Sequence, residues 1–253
     1  MNIDHYLNRI GVPLRQPSLH YLAALQRGHM QRVPFENLSV MRGEPIVLDE
    51  GLLYAKIVER GRGGFCYELN GTFGWLLRGL GFDVVRIAAG VYNQRQGEFG
   101  PTFDHMALLV TLNGERYLVD VGFGDSARGP IRLPDGQTAD VNGRYRLVSV
   151  DGGQAFVLQK EIEEIGDWRP QYRFTDQPRA LDDYAAQCAD TATSPDSHFT
   201  QGAICTIATP DGRISLSDNS LTITRHGRKE QRPIEDRAAF EACLRRYFGP
   251  PFP

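Results

Sequence analysis

Cys66, His105 and Asp120 are the residues of this chain whose types and spacing suit one another for chemistry. Cys66 follows Arg62-Gly63-Gly64-Phe65 and opens a stretch with helical periodicity. Its thiol therefore stands at a helix start, where free N–H groups favour an anion and glycines permit close backbone approach. That position is a recognised route to a reactive thiolate. His105 and Asp120 flank Asn113-Gly114. In the two-residue loop that Asn-Gly favours, Leu112 pairs with Glu115, so Ala107 faces Asp120 and His105 faces Gly122. His105 and Asp120 are then diagonal neighbours on one face, about 7–8 Å apart at the backbone and bridgeable by an imidazole. A four-residue loop keeps that relation, and a three-residue loop destroys it. Asp104, next to His105, points to the opposite face.

Each residue has an ordinary explanation when taken singly. Lone cysteines are commonly small buried hydrophobes, and a His on an edge strand with an Asp at a strand end is commonly solvated. Together they form what thiol acyl transfer requires: a nucleophile, a base and a carboxylate that orients the base. Lowering a thiol pKa from about 8.5 to about 5.5 takes roughly 4 kcal/mol. A surface helix terminus supplies about 0.3–1 kcal/mol, whereas a charge pair at 4 Å supplies about 4 at an effective dielectric of 20. An imidazolium beside Cys66 is thus expected to be the main cause of a lowered thiol pKa, with the helix end a helper.

The elements that must position these residues fall into three groups. The first third reads as helical. Ile3, Tyr6, Leu7 and Ile10 share one face before Gly11, and Ser18 caps a helix carrying Leu19, Leu22 and Leu25. A third helix spans 49–60, and Leu69, Phe73, Leu76, Leu77 and Leu80 stripe a fourth that ends at Gly81. From Asp83 the pattern becomes extended, with strands over 84–91, 103–112 and 116–121. A hairpin over 145–159 turns at Asp151-Gly152-Gly153, and another strand covers 169–175. The last third mixes a helix at 178–188, strands at 203–208, 213–217 and 221–224, and a final helix at 234–248 before a proline-rich end. The expected class is α+β, divided as a helical lobe over 1–82 with Cys66, a sheet lobe over 83–177 with His105 and Asp120, and a linking helix with an α/β lobe over 178–253.

A chain of 253 residues with 41% hydrophobic and 23% charged residues is ordinary globular material. It can bury roughly 70–75% of its unfolded surface. The net charge of −3 argues against a nucleic-acid partner. Among the basic residues only Lys56, Lys160 and Lys229 are lysines. The N-terminus lacks the basic and apolar regions of a signal peptide, and the longest apolar run, 106–110, is far too short for a bilayer. These features point to a soluble, cytoplasmic protein. Cys66, Cys188, Cys205 and Cys243 form no C-x-x-C pair, so free thiols are expected, with no metal and no disulfide framework.

Val33-Pro34-Phe35-Glu36-Asn37-Leu38, Arg62-Gly63-Gly64-Phe65-Cys66-Tyr67-Glu68-Leu69-Asn70, His105-Met106 and Val119-Asp120-Val121-Gly122-Phe123-Gly124 resemble the arylamine N-acetyltransferase family. Thr193-Ser194-Pro195-Asp196-Ser197-His198-Phe199 is similar to it as well, so the resemblance covers most of the chain. It implies a helical domain, an antiparallel β-barrel and an α/β lid, with the Cys-His-Asp arrangement shared by cysteine proteases and transglutaminases. It also implies a ping-pong reaction in which acetyl-CoA acylates the Cys and an arylamine, hydrazine or N-hydroxyarylamine takes the acetyl group. On this sequence the resemblance places nucleophile, base and orienter at Cys66, His105 and Asp120. It puts the loop beside CoA at Gly122, Phe123 and Gly124, and the acceptor pocket at Phe35, Tyr67, Phe123 and Phe199. Two features depart from the family's pattern: Asp104 stands before His105 where relatives carry a small hydroxyl residue, and the third lobe is short. An amide synthase of the same family, closing a polyketide macrolactam, is one alternative. A transglutaminase-like or papain-like thiol hydrolase, with the same Cys…His…Asp order, is another.

Overall fold

The computed structural model describes residues 1–163 and 165–249; the proline-rich end beyond Gly249 lies outside the described residues. Helix α1 (Ile3–Ile10) starts where the Asn2 side chain accepts from His5 N–H and stops at Gly11. Helix α2 (Leu19–Arg32) is capped by Ser18, whose hydroxyl accepts from Tyr21 N–H. A short strand β1 (Phe35–Glu36) and helix α3 (Leu38–Met41) follow. Helix α4 (Glu50–Tyr54) runs into a π-helical turn over Ala55–Glu59, where the periodicity had suggested uninterrupted α-helix. Helix α5 (Cys66–Gly79) buries Leu69, Phe73, Leu76 and Leu77 against α1, α2 and the sheet residues Leu108, Val110 and Val119. Burying each such side chain contributes about 1.5–3 kcal/mol, so this stripe anchors the helix that Cys66 opens.

The larger sheet is antiparallel throughout. It contains β2 (Asp83–Asn93), β3 (Glu98–Phe99), β4 (His105–Leu112), β5 (Glu115–Val119), β6 (Ile131–Arg132), β7 (Gln137–Asp140), β8 (Gly143–Val150), β9 (Ala155–Ile162) and β10 (Asp167–Phe174). Its order is β6-β5-β4-β2-β10-β9-β8-β7, with β3 paired to β2, and β6 comes back to touch β7 and β8. The sheet is therefore a nearly closed barrel around Ile87, Leu109, Leu118, Phe156 and Tyr172. Asn113 and Gly114 both have positive φ, as a primed two-residue turn demands, and Leu112 pairs with Glu115. Strand β4 begins at His105 and not at Phe103, because a turn closes from Asp104 N–H to the Pro101 carbonyl. Strand β5 ends at Val119, which releases Asp120 from the ladder.

After a 3₁₀ turn over Leu181–Tyr184, helix α6 covers Ala185–Thr193. It starts later than the sequence pattern suggested because Arg179 N–H bonds the Arg86 carbonyl and Asp183 accepts from Ala180 N–H. The second sheet comprises β11 (Ile204–Thr209), β12 (Gly212–Ser217), β13 (Ser220–Arg225) and β14 (Arg228–Pro233). Strand β1 joins it beside β11, so a segment from the helical third completes the C-terminal sheet. Helix α7 (Arg237–Phe248) is capped by Asp236 and packs Phe240 and Leu244 on that sheet. No described helix is long and apolar enough to cross a membrane.

Candidate active site

Cys66 is the first residue of α5, His105 the first of β4, and Asp120 the first past β5. The three elements meet, and the side chains are buried at 6%, 2% and 3% exposure. His105 Nε2 lies 2.8 Å from Asp120 Oδ2. Cys66 and His105 are coupled electrostatically: each shifts the other's proton affinity. A thiol, an imidazole and a carboxylate so grouped are the residue types that thiol acyl transfer requires.

Asp120 is itself held from several sides. Its Oδ1 accepts from Asn70 Nδ2 at 2.9 Å and from Gly122 N–H at 2.8 Å, and its Oδ2 accepts from the Tyr172 hydroxyl at 3.0 Å. Asn70 lies one helical turn after Cys66, and its Oδ1 also accepts from Val121 N–H at 3.0 Å. Gln26, on α2, donates to the Asp120 and Ala127 carbonyls. Burial opposes ionisation of Asp120, but His105 and these donors outweigh it and hold the carboxyl below its usual range. For His105, burial pulls the pKa down, yet the charge and hydrogen bond of Asp120 overcome it and carry it up to about 10.

Cys66 corrects one expectation. Its thiol is not depressed below the ordinary range: burial pushes it up, and the hydrogen bond and charge of His105 only partly pull it back. Enclosure opposes the thiolate, which a count of helix end and imidazolium alone leaves out. Sulfur and imidazole titrate as one pair. Asp120 strengthens the imidazole's hold on the proton that the sulfur gives up.

Gly122 backs directly onto Cys66: a Cβ there would lie 2.8 Å from Cys66 Cα. Gly124 adopts φ +82°, a conformation that favours glycine. Between them, Phe123 sets its ring edge-on to His105 with 5.2 Å between centroids, and equally near Tyr172. Phe35 and Phe199 pack 6.0 Å apart against the cluster that contains Cys66. Tyr67 is completely buried in that cluster, and its hydroxyl donates to the Phe103 carbonyl at 2.9 Å. Asp104 Oδ2 lies against Gly100; burial raises its carboxyl, and the His105 charge is the largest effect opposing that rise.

Tyr172, Gln26 and Glu68 surround this centre without having been singled out from sequence. Asn70 had a signal, its i+4 spacing from Cys66 on an amphipathic helix. Tyr172 had none, because only closure of the barrel brings it to Asp120.

A cleft of about 590 Å³ opens between the barrel and the second sheet, with Phe123 on its wall. Lys160, Arg169, Arg213 and Lys229 line it, beside Asp125, Glu161 and Glu163. Lys160 and Arg213 both pair with Asp125, at 3.1 and 3.2 Å.

A family model described as N-acetyltransferase matches residues 18–251. An arylamine N-acetyltransferase of Mycolicibacterium smegmatis is 36% identical over 256 residues, covering 98% of this chain and 92% of the relative. The solved arylamine N-acetyltransferase from Salmonella typhimurium superposes with a TM-score of 0.91 at 31% identity, covering 98% and 90% of the two chains. One from Bacillus cereus, with a unique Cys-His-Glu catalytic triad, gives 0.90 at 25% identity and covers 98% of both. This chain carries Asp120 as the carboxylate beside its histidine, and fold, family model and relatives agree: it belongs to the arylamine N-acetyltransferase family.

Proposed function

We propose that this enzyme transfers an acetyl group from acetyl-CoA to arylamines, hydrazines or N-hydroxyarylamines, in two half-reactions through an acetyl thioester on Cys66. The observation that carries the reading is the enclosed cluster in which His105 Nε2 reaches Asp120 at 2.8 Å while Cys66 and His105 are coupled electrostatically. Cys66 Sγ adds to the acetyl carbonyl carbon, and His105 receives the thiol proton and passes it to the departing sulfur. In the second half-reaction the amine nitrogen attacks the carbonyl of acetyl-Cys66. His105 takes the amine's proton, and the Cys66 sulfur leaves. Asp120 holds the imidazole in the tautomer and orientation that serve both steps.

Acetyl-CoA supplies the activated acetyl group when bound. The cleft beside Phe123 suits its phosphates: Lys160, Arg169, Arg213 and Lys229 present positive charge, and Arg213 Nη2 is buried without a hydrogen-bond partner among the described residues. The backbone at Gly122, Phe123 and Gly124 joins that cleft to the cluster. Phe123, with Phe35 and Phe199, offers flat apolar faces to an aromatic amine, and Tyr67 braces the loop before His105. Free, buried or half-buried cysteines fit a reducing compartment such as the cytoplasm.

Initial rates with varied acetyl-CoA and varied arylamine test the reading. Parallel double-reciprocal lines and an N-acetylated product are expected. Intersecting lines would show that no acetyl-enzyme precedes amine binding. Acyl transfer only from a carrier protein, or hydrolysis of peptides, would place the cluster in another reaction.

A further inference from the structure

Two buried ion pairs bracket the turn that delivers Cys66. Before it, Arg62 pairs with Glu36 at 2.8 Å. Behind it, Lys56 Nζ lies 2.7 Å from Glu68 Oε1, with both side chains almost fully enclosed. Glu68 is the third residue of α5, and its other oxygen, Oε2, accepts from Phe65 N–H at 3.2 Å. Phe65 has no side chain that can cap the helix, so Glu68 supplies the half of a capping box that reaches back to the N-cap backbone. The carboxylate also lies against Gly64, where a Cβ would stand 2.6 Å from Oε2. Any movement of Glu68 is thereby passed to the two residues before the nucleophile.

Lys56 comes from the π-helical turn over Ala55–Glu59, a local widening that recurs where function constrains a helix. Its carbonyl also accepts from Arg62 N–H at 3.1 Å, so both its ends are tied to the same turn. We propose that Lys56 is a positioning residue for Cys66, acting through Glu68 to fix the start of α5. The inference rests on Cys66 being the residue that accepts the acetyl group.

The physical need is plain. A carboxylate at this depth keeps its charge only with a partner, since burial favours the neutral acid. Burial does push the Glu68 carboxyl up, and the Lys56 charge and hydrogen bond are the largest effects opposing it. Without Lys56 the carboxyl would take a proton. A neutral acid accepts more weakly from Phe65 N–H and brings a proton that needs a partner of its own. The turn would loosen, and Cys66 would lose its alignment with His105. Wider loss of the fold is not required, because the Leu69–Leu77 stripe still holds the helix.

The test compares wild type, Lys56→Met, Glu68→Gln and the double variant, using iodoacetamide alkylation of Cys66 and acetyl-enzyme formation. Lys56→Met should slow both about tenfold, lowering kcat while leaving the amine KM within twofold. The double variant should recover most of the rate, because glutamine leaves no buried charge and its Oε1 can still accept from Phe65 N–H. Equal alkylation of wild type and Lys56→Met would overturn the proposal. So would a double variant no faster than Lys56→Met. If Lys56→Met does not fold, a double variant faster than Glu68→Gln supports the proposal and an equal one overturns it. Alkylation needs no acetyl donor. Slow alkylation of Lys56→Met, beside a wild type that acetyl-CoA does not acetylate, would uphold the positioning role and refute the acetyltransfer reading instead.

Discussion

Asn70 and Asp120 meet at 2.9 Å although 50 residues separate them. The contact ties the helix that carries Cys66 to the strand end whose carboxylate bonds His105. Asn70 also donates to the Met106 carbonyl, next to His105, at 2.6 Å.

Replacing Asn70 with alanine should therefore act twice. It takes one donor from Asp120, which keeps Gly122 N–H, and removes the Asn70 partner of the Met106 carbonyl and Val121 N–H, at about 1–3 kcal/mol for each group left unsatisfied. Urea denaturation should show a lower midpoint. Alkylation of Cys66 at neutral pH should slow about tenfold, equivalent to about 1.4 kcal/mol. An unchanged alkylation rate would mean that Asn70 only stabilises the fold.

Asp120 and Asp104 give a sharper contrast. Asp120→Asn removes the charge that lifts the His105 pKa to about 10, so acetyl-enzyme formation should fall by two orders of magnitude or more. Asp104→Asn should cost far less, because that carboxylate lies against Gly100, whereas Asp120 hydrogen-bonds the imidazole. Rapid-quench measurement of acetylation in the two variants decides between them, and the reverse ranking would sink the assignment of Asp120.

Phe123 should govern the amine more than the acetyl donor. Its ring lies edge-on to His105, where an incoming aromatic amine would meet it. Phe123→Ala should weaken the second half-reaction with arylamines about tenfold, and acetylation of Cys66 less. Pre-steady-state rates of the two half-reactions with a chromogenic amine would separate them. Equal losses would reduce Phe123 to a loop anchor.

Stability at low pH should carry the mark of a different histidine. His29 is fully buried in the helical core, with Nδ1 3.0 Å from the Tyr6 hydroxyl. Burial, assisted by Arg9, lowers its pKa to about 3. The unfolded chain protonates near pH 6.5, so the fold loses stability as pH falls from about 6.5 toward 3 and keeps it in full above that range. His29→Gln should flatten this limb of the urea midpoint against pH. A limb of unchanged slope would show that His29 is not responsible.

The helix that Cys66 opens and the His105–Asp120 register were legible because each depends on local rules. An apolar stripe ending at a glycine marks α5, and Asn113-Gly114 dictates which residues face one another across the turn. Tyr172 was illegible: the pattern of β10 says only that it is a strand, and its contact with Asp120 needs the barrel to close. Strand β14, all exposed and composed of Arg-Lys-Glu-Gln-Arg-Pro, shows no alternation because neither face meets a core. The direction of the Cys66 pKa was misjudged because burial of the thiol depends on α6 and the aromatic cluster, which spacing around Cys66 does not reveal.

The account stands most directly on the mass of the intact protein after incubation with acetyl-CoA. Wild type should gain a single acetyl group, mapped by proteolysis to the peptide containing Cys66, and should lose it when an arylamine is added, as the N-acetylated amine appears. Cys66→Ala should gain none. An acetyl group on Cys188, Cys205 or Cys243, or one that Cys66→Ala retains, would contradict the account, as would a wild type that acetylates amines without ever carrying the group itself.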